Sequence, residues 1–198
     1  MNKKFKKGLI EYGIFAAILA GIYLADLHTE AIGFVQRGLL ATGAMNPDIE
    51  QVDNNVDSLE ESKTKADFGL TLVDSKGKKV SMEEYRGKVI FINFWATWCP
   101  PCIAEMPSIN AMYNDIDKSK IEVLMVSFDR NFEKAIDFKN NKNFDFEVYA
   151  PAGPIPHMYE SNSIPTTFII DSKGNLVFTH KGMADYNRKD FKDFMKGL

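Results

Sequence analysis

The chain has 198 residues, 45% of them hydrophobic and 26% charged, with 13 glycines and 8 prolines, which excludes a collagenous, mucin-like or wholly disordered protein. A formal net charge of −3 is too small to recruit nucleic acid. The charge is also uneven, at +2 over residues 1–45, −4 over 46–65 and −1 over 66–198, and this divides the chain into three zones.

Lys3, Lys4, Lys6 and Lys7 precede an apolar run from Gly8 to Ala25 interrupted only by Glu11. As a helix this run reaches about 27 Å, close to a hydrocarbon core of roughly 30 Å, with Glu11 near enough to its end to snorkel. No small-x-small cleavage site follows Ala25 closely, so an uncleaved anchor is favoured over a signal peptide. Residues 1–28 are therefore predicted to be a lysine-rich cytoplasmic end and a transmembrane helix, and the positive-inside rule puts the rest of the chain outside the cytoplasm. In residues 29–65, Ile32, Val35, Leu39 and Leu40 are spaced for one helical face with Arg37 interrupting it, which suits a helix lying on the outer membrane surface. Asn46–Lys65 is acidic and poor in apolar residues, the composition of a flexible tether.

Residues 66–198 carry the pattern of one α/β domain. Phe68–Val73 and Lys79-Val80 flank the turn Asp74–Gly77 as a hairpin. Ser81–Glu84 has the form of a capping box, and Gly87 can end the short helix it starts. Val89–Phe94 is a continuous apolar run, as in a strand buried on both faces. A helix from about Cys99 to Ile116 comes next, then strand Ile121–Phe128, helix Phe132–Asn140 and a brief strand at Glu147–Tyr149. Strands Thr166–Asp171 and Leu176–His180 meet at the turn Ser172–Asn175, and Asn187–Met195 closes the domain as a helix. This order predicts a central mixed sheet with helices on both faces.

Cys99 and Cys102 are the only cysteines. Closing so small a ring stabilises by about 2 kcal/mol, against roughly 4.7 for a 100-residue loop, so the pair is a poor staple. Three histidines without finger spacing make structural zinc a poor fit. The pair sits in Phe94-Trp95-Ala96-Thr97-Trp98-Cys99-Pro100-Pro101-Cys102, between a buried strand and a helix start. There Cys99 gains the positive end of the helix, which lowers its pKa, and Cys102 stands one turn inside, placed to attack a mixed disulfide at Cys99. Pro100 and Pro101 fit a first helical turn.

These residues resemble the thioredoxin superfamily, and most of 66–198 is similar to its membrane-tethered TlpA/ResA-like branch. The resemblance implies a thioredoxin-like fold, Cys99 as attacking and Cys102 as resolving thiol, and no cofactor or metal beyond that redox pair. It also implies that Pro107 kinks the active-site helix. Ile164-Pro165-Thr166 resembles the family's cis-proline loop, which offers the Ile164 backbone to an extended substrate, with Trp98 flanking Cys99. Thioredoxin has a buried aspartate in the strand before the motif, where this chain has Asn93. Asn cannot shuttle a proton, so Glu105 and Asp129 are the candidate acids assisting Cys102.

The two prolines remove N–H donors that would stabilise the Cys99 thiolate, which argues for a low potential and a reductase. The substrates expected are disulfides of exported proteins, apocytochromes c among them, with recharging by a membrane electron donor. An oxidase, isomerase or thiol peroxidase on the same fold stays open, as does a copper-binding carrier using His157 or His180. The Pro-rich stretch Pro151–Pro156 either shapes the rim of the site or connects two elements.

Overall fold

The computed structural model describes residues 12–14, 21, 28–41 and 64–198. The predicted anchor and tether lie almost wholly outside them. Tyr12–Ile14 and Gly21 are helical, and no helix among the described residues is long and apolar enough to cross a membrane. The elements are α1 (His28–Ala41), β1 (Thr71–Asp74), β2 (Lys79–Ser81), β3 (Val89–Trp95), α2 (Pro100–Asp115), β4 (Ile121–Ser127), α3 (Glu133–Asn141), β5 (Val148–Pro151), β6 (Thr166–Ile170), β7 (Leu176–Lys181) and α4 (Lys189–Gly197). Short 3-10 helices occupy Met82–Tyr85 and His157–Tyr159. The first of these carries the capping box read from Ser81 and Glu84, and Gly87 stands just after it at φ +87°, a conformation that costs glycine little.

The seven strands form one mixed sheet in the order β2-β1-β5-β4-β3-β6-β7. β3, β4 and β5 run parallel, while β1 and β6 join them antiparallel. Only the end of the expected Phe68–Val73 strand pairs with β2. Phe68 and Leu70 are buried just before it.

Side chains of alternate residues divide between two cores, as the pleat requires. Phe91 and Trp95 of β3 join Met106, Ile109, Phe191 and Met195 on one face. Ile90, Ile92 and Phe94 join Leu70, Met82 and Tyr159 on the other. Burying each large apolar side chain contributes about 1.5–3 kcal/mol.

The element order predicts helices on both faces, but α2, α3 and α4 all pack on the Phe91 face, and the Ile90 face is covered by the 3-10 helices and the segment around Phe68. The reason is topological. The crossovers β3-α2-β4 and β4-α3-β5 step in the same direction along the sheet, and right-handedness then puts both helices on one side.

Helix α1 lies against α2. Leu40 packs with Ala104 and Met183, and a Cβ added to Gly33 would stand 3.3 Å from both Ile103 Cγ2 and the Pro100 carbonyl oxygen. Gly33 and Leu40, two turns apart, thus form the inner seam. Ile32 and Val35, expected to share one face with Leu40, are instead exposed at 47% and 66%.

Candidate active site

Strand β3 is buried along its whole length and delivers the chain at its C-terminal edge to Ala96–Trp98 and then Cys99, the N-cap of α2. Cys99 and Cys102 are joined in a disulfide with Cα atoms 5.3 Å apart. Cys102 is fully buried and Cys99 is 4% exposed, so an incoming sulfur meets Cys99 first. The Cys102 N–H points at Cys99 Sγ over 3.3 Å. Pro100 and Pro101 fill the first turn of α2 and supply no N–H.

The Ile164–Pro165 bond is cis, and the Ile164 carbonyl oxygen lies 3.8 Å from Cys99 Sγ. The Pro165 carbonyl accepts from Gly182 N–H at 2.9 Å, tying this loop to the end of β7. Trp98 stands beside Cys99 in sequence and is 58% exposed. Pro107 is exposed within α2, where its missing N–H leaves the Ile103 carbonyl without its helical donor. Phe128, Ile155, Tyr159, Ser161, Asn162 and Lys181 line an open groove of about 600 Å³ next to the cis-proline loop. Through Ile155, the Pro-rich stretch forms part of its rim.

The two candidate acids are held differently. Glu105 is fully buried. Its Oε1 accepts from Asn93 Nδ2 at 2.8 Å and its Oε2 from Ala184 N–H at 3.1 Å. Burial pushes its pKa up to about 8, against the lowering effect of those two donors. Asp129 braces the loop before Cys99 instead. It accepts from Thr97 N–H at 2.9 Å, Thr97 Oγ1 at 2.7 Å and Ser127 Oγ at 2.8 Å.

The AhpC/TSA family model matches residues 63–179. The thiol-disulfide oxidoreductase ResA of Bacillus thuringiensis subsp. konkukian is 30% identical over 148 residues, covering 72% of this chain and 80% of that protein. Among solved structures, one described as a putative thiol:disulfide interchange protein DsbE from Chlorobium tepidum is 28% identical with a TM-score of 0.55, covering 69% of this chain and 95% of that one. StoA from Bacillus subtilis, 23% identical with a TM-score of 0.53 over 63% of this chain and 93% of its own, shares the fold. The chain belongs to the AhpC/TSA family. It is a thiol–disulfide oxidoreductase of the ResA/DsbE type, with a thioredoxin-like fold and its cysteine pair at disulfide distance.

For this AhpC/TSA member, sequence reasoning names Asn93 and Glu105 separately, and the fold hydrogen-bonds them to each other. It misses Thr97 and Ser127, which hold Asp129, and Thr167 and Tyr186, which extend the Asn93 network. Thr167 meets Asn93 as its register partner across β3 and β6, a pairing that only the folded sheet reveals. Tyr186 lies in an irregular loop and had no signal. The histidines considered for copper stand elsewhere, His157 exposed and facing Glu160, and His180 stacked on Phe178. Among the described residues no group of three His, Cys, Asp or Glu could hold a metal ion.

Proposed function

We propose that the protein is a membrane-tethered reductase of disulfides in exported proteins, apocytochromes c among them. The Cys99 thiolate attacks a substrate disulfide, forming a mixed disulfide and releasing one substrate thiolate. Cys102 passes its proton to Glu105 and attacks Cys99 Sγ. The Cys99–Cys102 bond forms, the bond to the substrate breaks, and the second substrate sulfur leaves and takes a proton from water. Two electrons have then moved from the dithiol to the substrate, and a membrane electron donor protein returns them. Ile164, Pro165 and Trp98 receive the substrate chain.

The observation that carries the direction is the sparse donor set around Cys99. Among the described residues the Cys102 N–H is the one hydrogen-bond donor found at its sulfur, and Pro100 and Pro101 can add none. A thiolate with few donors makes a less stable reduced form and a better reductant. Glu105 is preferred to Asp129 as the acid because it lies one turn from Cys102 on α2, whereas Asp129 is committed to Thr97 and Ser127. Tethering is supported by the apolar run at residues 8–25 with four lysines before it, a charge pattern that favours a domain outside the cytoplasm.

The test is the reduction potential of the pair, measured on the full chain in detergent against dithiothreitol and glutathione buffers. A value of about −270 mV or lower is expected, and one between roughly −120 and −180 mV would reverse the proposed direction.

A further inference from the structure

Asn93 Nδ2 donates both to Glu105 Oε1 and, at 2.9 Å, to Thr167 Oγ1. Thr167 Oγ1 also accepts from the Tyr186 hydroxyl at 2.7 Å. All four side chains are fully buried. Asn93 Oδ1 is buried as well and has no partner among the described residues. Tyr186 is a fixed donor, because burial and the nearby Glu105 charge push its pKa far up. It is also the ionisable side chain that faces Glu105 from outside α2, while β3 and β6 present the neutral Asn93 and Thr167.

A hydroxyl has one hydrogen and two lone pairs, and an amide presents NH2 on one side and oxygen on the other. The heavy-atom positions therefore serve two patterns, each leaving one side of the Asn93 amide without a partner among the described residues. With Glu105 ionised, the Asn93 NH2 donates to Glu105 and Thr167, and Thr167 acts as a double acceptor. With Glu105 protonated, the amide turns over, and Asn93 Oδ1 accepts from both the carboxyl and Thr167, which still accepts from Tyr186. Only a residue able both to donate and to accept can stand at position 167 in both patterns.

We propose that Thr167 is a positioning residue for the redox reaction, the pivot that lets the Asn93 amide follow the proton arriving on Glu105 from Cys102. Valine at this position keeps the shape but deletes the hydroxyl. It strands the Tyr186 O–H in both states, and in addition an Asn93 N–H when Glu105 is ionised, whereas with Glu105 protonated Oδ1 keeps the carboxyl as partner. Loss of the hydroxyl thus disfavours the state that must accept the proton. This rests on the reading that Glu105 takes the Cys102 proton.

The test uses the full chain, reduced and mixed with glutathione disulfide. Release of the second glutathione reports the attack of Cys102 as a function of pH. Thr167→Val is expected to move the inflection upward by about one pH unit, the size of one hydrogen bond exchanged between protonation states, and to slow release up to about tenfold below it. Thr167→Ser should track the wild type. Asn93→Ala, which deletes the donor itself, should move the inflection the same way and serves if the valine variant does not fold. A Thr167→Val profile lowered uniformly at every pH, with the inflection in place, overturns the proposal. Glu105→Gln separates the two readings. If it leaves the wild-type inflection in place, the role of Glu105 fails and the proposal with it. If it removes the inflection while Thr167→Val and Asn93→Ala do not shift it, the pivot alone fails.

Discussion

Glu105→Gln should change how stability depends on pH. The buried carboxyl holds its proton up to about pH 8, against an ordinary value of 4.5. Across that window the folded protein binds one proton more than the unfolded chain, so stability falls as pH rises and levels off above pH 8. At about 1.4 kcal/mol per pH unit the fall amounts to at most about 5 kcal/mol. Glutamine keeps the shape and carries no proton to lose. Its oxygen can accept the Ala184 N–H, and with the Asn93 amide turned over its NH2 can donate to Asn93 Oδ1 as the protonated carboxyl does. Guanidinium unfolding of the disulfide form, followed by circular dichroism from pH 4.5 to 9, gives the difference between variant and wild type, in which the other titrations cancel. The difference should grow in the variant's favour up to pH 8 and then stay flat. Parallel curves throughout would show that folding does not raise the carboxyl's pKa, and the argument from burial would be wrong.

Cys102→Ser should trap a mixed disulfide between Cys99 and substrate, seen as an added mass that dithiothreitol removes, whereas Cys99→Ser should trap none. Asp129→Ala removes two hydrogen bonds from the loop before Cys99 and a third from Ser127 at the end of β4. It should lower stability by about 1–3 kcal/mol, read from denaturant midpoints, and slow the first attack on glutathione disulfide. Gly33→Leu should lift α1 from α2, because even a Cβ is tightly met there. Hydrogen exchange in 28–41 should rise several-fold while the unfolding midpoint of the domain holds.

Much of the domain is legible in the sequence because its signals are local. The apolar run of β3, the capping box at Ser81 and the turn before β2 each depend on a few adjacent residues, and the mixed sheet comes from the alternation of elements. The placement of the helices is not, because handedness acts through the strand order β5-β4-β3, which only the folded sheet reveals. At the site, the cysteines and Pro165 announce themselves by motif. The partners of Glu105 and Asp129 do not, because they come from residues as far away as Ala184 and Thr97, joined by the sheet. The outward turn of Ile32 and Val35 is hidden for a similar reason. α2 contacts a neighbouring stripe of α1, and the presence of glycine in that stripe conceals it from a hydrophobic pattern.

The seating of Gly33 on Pro100 and Ile103 has a mechanical consequence. α1 precedes the domain in the chain, and it rests on the turn that begins at Cys99. A pull or twist on the chain upstream of His28 is therefore delivered first to the mouth of the dithiol, ahead of the sheet. The same contact fixes the heading of that mouth relative to α1, so that α1 works as a rudder for the dithiol.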